Sequence, residues 1–111
     1  LYYTQNGEVL SMKGTRRAIG GAGLFERKGA FETFSVELRK GDCLYMGTDG
    51  YWDQPNEKRR KFSRTHFMQY LDAIKYFPMA EQKEKLTKML YEHMGHRNVQ
   101  RDDITLLGIR L

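Results

Sequence analysis

Asp49 and Asp53 stand four positions apart, with Gly50 directly after the first, at the end of Cys43-Leu44-Tyr45-Met46-Gly47-Thr48-Asp49-Gly50-Tyr51-Trp52-Asp53. An apolar run that ends on an acid is how a buried strand delivers a carboxylate to a site. Gly50 lets the backbone turn sharply or approach a ligand closely, because it has no Cβ. The stretch Gln100-Arg101-Asp102-Asp103-Ile104-Thr105-Leu106-Leu107-Gly108-Ile109-Arg110-Leu111 has the reverse order, acids first and an apolar run after them. One strand arriving at an acid and one leaving from an acid can place both at the same end of one sheet. Hard cations such as Mg²⁺ and Mn²⁺ take oxygen ligands from a few carboxylates and fill the rest with water. Asp49 and Asp102 suit that role. Two such ions about 3.5–4 Å apart bind a phosphoryl group and lower the pKa of a shared water, which makes a nucleophile at neutral pH. No covalent protein nucleophile is then needed, and the chain has neither a Gly-x-Ser-x-Gly elbow nor a credible Cys/His pair. The plainer readings stay open at this point. Asp-Gly after a strand is often only a turn, and Asp102-Asp103 before a strand can be a cap or an ion-pair partner.

Other residues carry weaker chemistry. His93 and His96 have a usable helical spacing for a metal, but Gly95 breaks the helix between them and no third partner is near, so zinc is set aside. The glycine-rich run Arg16 to Gly23 has neither GxGxxG spacing nor a Gly-Lys-Ser/Thr ending, and reads as a plain loop. Lys58-Arg59-Arg60-Lys61 reads first as a solvated face, with a dock for a phosphorylated or acidic partner as the sharper alternative. Aromatics are not interleaved with it, which argues against nucleic acid. Trp52 reads as a packing residue beside the acids.

The elements that must position these residues follow from pattern. Leu1 to Gln5 and Val9 to Met12 read as strands around the Asn6-Gly7 hairpin turn. Phe34, Val36 and Leu38 alternate with polar residues, which predicts a strand. Lys40-Gly41-Asp42 would turn it into a hairpin with the Asp49 strand. Phe67, Tyr70, Leu71, Ile74 and Phe77 recur at helical spacing up to Pro78, with Ser63 or Thr65 as N-cap. A second helix starts near Ala80, carries the stripe Leu86, Met89, Leu90 and His93, and ends at Gly95. Strands, two helices and a closing strand predict an α+β fold, an antiparallel sheet or sandwich with both helices on one face.

The 111 residues make one domain or part of one, large enough for a single core. Lys plus Arg is 19 against 14 for Asp plus Glu, a net charge of +5, which permits an acidic or phosphorylated partner without requiring one. The single cysteine, Cys43, excludes an internal disulfide and fits a reducing, cytoplasmic compartment. No apolar run approaches the roughly 20 residues of a membrane span, and the start shows no signal peptide. The opening Leu1-Tyr2-Tyr3, strand-like and without an initiator Met, reads as an entry into the later part of a longer protein.

Gly41-Asp42 with Leu44-Tyr45, Thr48 to Gln54, Lys61-Phe62 and Gln100 to Leu107 together resemble the C-terminal half of the PPM (type 2C) metal-dependent serine/threonine phosphatases, and most of all their bacterial SpoIIE-like branch. Ile19-Gly20-Gly21 is similar to a loop of that family. The resemblance implies a β-sandwich flanked by helices, residues 1–111 being the C-terminal part of one phosphatase domain. It implies a two-metal centre of Mn²⁺ or Mg²⁺ that hydrolyses phosphoserine or phosphothreonine on a protein. By the same resemblance Asp49 and Asp102 are metal ligands and Asp53 an acid that helps hold a weaker third ion. Asp103 stands where many relatives have Asn, so no ligand role passes to it. The family's other ligands lie on an upstream Asp-Gly strand that nothing in Leu1 to Asp42 matches. Half of the centre is therefore expected outside this sequence, and the fragment is expected to be inactive alone. The implied partner is a phosphorylated protein in bacterial signalling, such as a regulator of an anti-sigma factor. Unpaired sheet edges would favour a homo-oligomer. The rival from another class is a non-catalytic interaction domain that kept the fold, and the sequence just before Leu1 separates the two.

Overall fold

The computed structural model describes residues 1–15, 31–96 and 99–111; the glycine-rich run Arg16 to Gly23, with its Ile19-Gly20-Gly21, lies outside them. Strand β1 (Tyr2–Gln5) turns back into β2 (Glu8–Ser11) through Asn6 and Gly7, both at positive φ (52° and 81°). Two left-handed residues in a row match the twist of the flanking strands, the reason Asn-Gly favours this hairpin. Strands β3 (Cys43–Gly47) and β4 (Leu106–Arg110) complete a four-stranded sheet in the order β2-β1-β3-β4, antiparallel throughout. Three helices follow β3: the single turn α1 (Gly50–Asp53), then α2 (Arg64–Ile74) and α3 (Met79–Met94). The architecture is α+β, as the alternation of patterns implies.

One face of the sheet carries Tyr2, Cys43 and Tyr45, all buried, and α2 and α3 lie on it. Tyr45 reaches α3 by donating its hydroxyl to Gln82 Oε1 at 2.7 Å, and Tyr2 sets its ring edge-on to Phe67 of α2 at 5.3 Å. Phe67 is wholly buried and also meets Tyr51 and Trp52, at 5.0 and 5.3 Å between ring centres. Removing such a ring costs about 3–5 kcal/mol, so this aromatic knot holds α1 down as well as α2. Burial pushes the Tyr45 and Tyr51 hydroxyls well above the ordinary tyrosine range. Each hydroxyl donates a hydrogen bond, Tyr51 to the Leu86 carbonyl at 2.8 Å. Ser63 caps α2, its Oγ accepting from the His66 amide, and Gly95 at φ 73° closes α3. The opposite face presents Met46, Leu107 and Ile109, all exposed.

Two expectations change. Residues 34–38 form no strand, and no hairpin joins them to β3. Both edges of β3 are already paired, one with β1 and the other with β4, so no ladder is left for a further strand. Phe34 remains half exposed. The turn itself exists: Gly41 takes φ 97°, and the Asp42 carboxylate accepts from the Arg39 amide at 2.7 Å. The stripe expected on α3 is also narrower. Leu86 is buried with Gln82, whereas Met89 and Leu90 only border the core. No helix of the described residues is long and apolar enough to cross a membrane.

Candidate metal centre

The ladder between β3 and β4 ends with Gly47 opposite Leu106. Asp49 lies two residues past the end of β3, and Asp102 four residues before the start of β4. Because the strands run antiparallel, these two positions fall at the same end of the sheet. Three contacts then hold the two backbones together. Thr48 N donates to Thr105 O at 3.0 Å, and Thr105 N returns a bond to Thr48 Oγ1 at 3.1 Å. The Thr48 hydroxyl donates to the Asp103 carbonyl at 2.9 Å. Gly50 fits so closely that a Cβ there would lie 2.4 Å from the same carbonyl oxygen, and at Gly47 one would lie 2.6 Å from Thr105 O. The glycine after Asp49 is thus required by the second acid loop, through close backbone approach and not through an unusual φ.

Asp49 occupies the N-cap position of α1 in helical geometry (φ −77°, ψ −10°), yet its side chain makes no capping hydrogen bond. A cap residue normally gives its carboxylate to the amides two or three residues on. Here that carboxylate is left for another partner. Asp102 is exposed, and its Oδ1 accepts from the Asp103 amide at 2.7 Å. Asp53 lies one turn beyond Asp49, with its amide donating to the Asp49 carbonyl at 2.9 Å. Its carboxylate is 3.2 Å from Lys61 Nζ in a largely exposed pair, a contact worth at most about 1 kcal/mol. Two carboxylates and water suit a hard cation in donor chemistry. Among the described residues no three of His, Cys, Asp and Glu cluster tightly enough to hold a metal by themselves. The acids stand at the open end of the sheet and not in a cavity. A groove of about 670 Å³ between α3 and β4 is lined by residues including Tyr45, Tyr51, Met79, Leu86 and Ile104 and contains none of them.

Gln54 is the residue that spacing did not single out. It is buried to 1 % exposure and ties α1 to the approach of Asp102. Its Nε2 donates to Val99 O at 3.1 Å, and its Oε1 accepts from Arg101 N at the same distance. Its own carbonyl accepts from Phe62 N and from His93 Nε2, at 3.1 and 3.0 Å. His93 is therefore committed to that carbonyl and to an edge contact with Phe62. Trp52 is buried against Tyr2 and Phe67 as a packing residue.

The chain thus combines an antiparallel sheet, a helical layer on one face and two acids at one end of that sheet. The family model for stage II sporulation protein E (SpoIIE) matches residues 1–111, and the chain belongs to that family. Among solved structures it is similar to the SiaA-PP2C domain of Pseudomonas aeruginosa, with 35% identity and a TM-score of 0.81. That likeness covers 99% of this chain and 42% of the other, so the chain spans less than half the length of that relative. No curated protein matches. The chain is a fragment of a SpoIIE-like PPM phosphatase domain.

Proposed function

We propose that residues 1–111 form the C-terminal part of a single cytoplasmic phosphatase domain that hydrolyses phosphoserine or phosphothreonine on a protein. The phosphorylated protein is its partner, of the kind that regulates an anti-sigma factor. The observation that carries the reading is the lock between Thr48, Gly50 and the Asp103 carbonyl, which holds Asp49 and Asp102 at one end of the sheet. Asp49 and Asp102 would hold Mn²⁺ or Mg²⁺, with Asp53 at a weaker position. Bound there, such ions supply positive charge to phosphoryl oxygens and an activated water. Lys61 orients the Asp53 carboxylate and offsets its charge. Gln54 fixes the distance between α1 and the Asp102 loop. The remaining ligands would come from upstream strands, which would also cover the face of Met46, Leu107 and Ile109.

The test is turnover of p-nitrophenyl phosphate and a phosphoserine protein by the full-length protein. EDTA should abolish both activities and Mn²⁺ should restore them. Turnover that survives EDTA, or none with millimolar Mn²⁺, would refute the reading and favour an interaction domain.

A further inference from the structure

The basic run is exposed, as a solvated face would be, but it is not loose. Residues 55–61 form a tight turn closed by a β-bridge between Pro55 and Lys61. Asn56 braces it from within: its Oδ1 accepts from both Lys58 N and Arg60 N at 3.0 Å. Its backbone donates to Arg60 O at 2.9 Å and accepts from Arg59 N at 2.8 Å. Arg59 sits at φ 60°, in the left-handed region where glycine or asparagine is the ordinary choice. The turn therefore puts an arginine where a smaller residue would be less strained. It is also tied to the acids. Phe62 N donates to Gln54 O, Ser63 N to Trp52 O at 2.9 Å, and Lys61 pairs with Asp53. In sequence, α1 and Gln54 separate the turn from Asp49.

The charges divide into two groups. Lys61 is occupied by Asp53, and Glu57 lies against Gly95, where a Cβ would meet its carboxylate oxygen at 2.7 Å. Lys58, Arg59 and Arg60 are exposed, and none has an acidic partner among the described residues. Three consecutive cations on one braced turn complement a short acidic peptide segment in charge. No aromatic side chain is interleaved for a base to stack on.

We propose that Lys58, Arg59 and Arg60 form a docking site for an acidic segment next to the phosphorylated residue of a protein substrate, a selectivity element that rests on the phosphatase reading above. A substrate held there would gain its discrimination from residues beyond the reacting phosphate. The test is a full-length triple variant, Lys58→Gln/Arg59→Gln/Arg60→Gln, assayed on three substrates. These are p-nitrophenyl phosphate, a phosphoserine peptide flanked by four acidic residues, and the same peptide with Gln and Asn in their place. Turnover of p-nitrophenyl phosphate should be unchanged, which also shows that the variant folds. The kcat/KM for the acidic peptide should fall about tenfold at low salt and converge on wild type as salt rises. The neutral peptide should change less than about twofold. Equal losses on both peptides, or none on either, would overturn the proposal. Fluorescence anisotropy of the acidic peptide without metal separates this failure from that of the phosphatase reading. Binding that the triple variant loses supports the dock even if no substrate is hydrolysed. No binding by wild type, or tighter binding of a single-stranded RNA than of the acidic peptide, would refute it.

Discussion

Asp102→Asn in the full-length protein is expected to lower Mn²⁺-dependent turnover about a thousandfold, and Asp49→Asn to do the same. A metal's charge stabilisation supplies several kcal/mol at such a centre, and each 1.36 kcal/mol is tenfold in rate. On the proposed reading each change would remove a charged ligand where the described residues offer few others. Asp103→Asn should stay within about threefold of wild type, well under 1 kcal/mol on that scale. Its contribution is made by the backbone: the carbonyl accepts from Thr48 and packs on Gly50, and both contacts survive the change of side chain. Steady-state kinetics over a Mn²⁺ series, with circular dichroism as a check on folding, decides the matter. The reverse pattern, Asp103→Asn severe and Asp102→Asn mild, would mean that the second acid is placed one residue away.

Among the glycines of the described residues, Gly50→Ala should be the most damaging. The new Cβ would sit 2.4 Å from the Asp103 carbonyl oxygen and 3.1 Å from its carbon, so one backbone must move. Overpacking of this kind costs about 1–3 kcal/mol. In a domain of this size that lowers the melting temperature by roughly 4 °C or more per kcal/mol. Prising the Asp103 loop from α1 also moves Asp102 away from Asp49, so Mn²⁺ affinity should fall about 10–100-fold, the scale seen when a ligand's support is lost. Gly14→Ala is the control, because a Cβ there meets nothing within 4 Å. Thermal melts with and without Mn²⁺ read both effects. An unchanged melt for Gly50→Ala would show that the two loops are not in the contact described.

Much of this arrangement was readable from local chemistry. Asn6-Gly7, Ser63 and Gly95 are residues whose side chain, or lack of one, dictates a turn or cap over three or four positions, and each acts where its type suggests. The two acid strands were readable because apolar runs ending or beginning on carboxylates report burial and its end together. What failed was long-range. The alternation at Phe34 to Leu38 describes a chain with one apolar side, but a strand also needs a free edge, and β1 and β4 occupy both edges of β3. Helix α1 is too short for a periodicity to show. Gln54 looks like an ordinary loop residue in Asp-Gln-Pro-Asn, and its value comes from Val99 and Arg101, more than forty positions away. Thr48 is similarly ordinary until Asp103 and Thr105 are folded against it.

The central claim is that Asp49 and Asp102 share one ion. Its most direct test is paramagnetic broadening by Mn²⁺ in the ¹⁵N-labelled chain of 111 residues. With only two aspartates and water as ligands, binding should be weak, yet a paramagnetic ion reports its neighbours at partial occupancy. The amides of residues 48–50 and 102–104 should broaden together, with one half-saturation concentration, and Asp102→Asn should relieve the broadening at both. Broadening at only one of the two segments, different half-saturation points, or an effect at Asp49 that persists in Asp102→Asn would contradict the account.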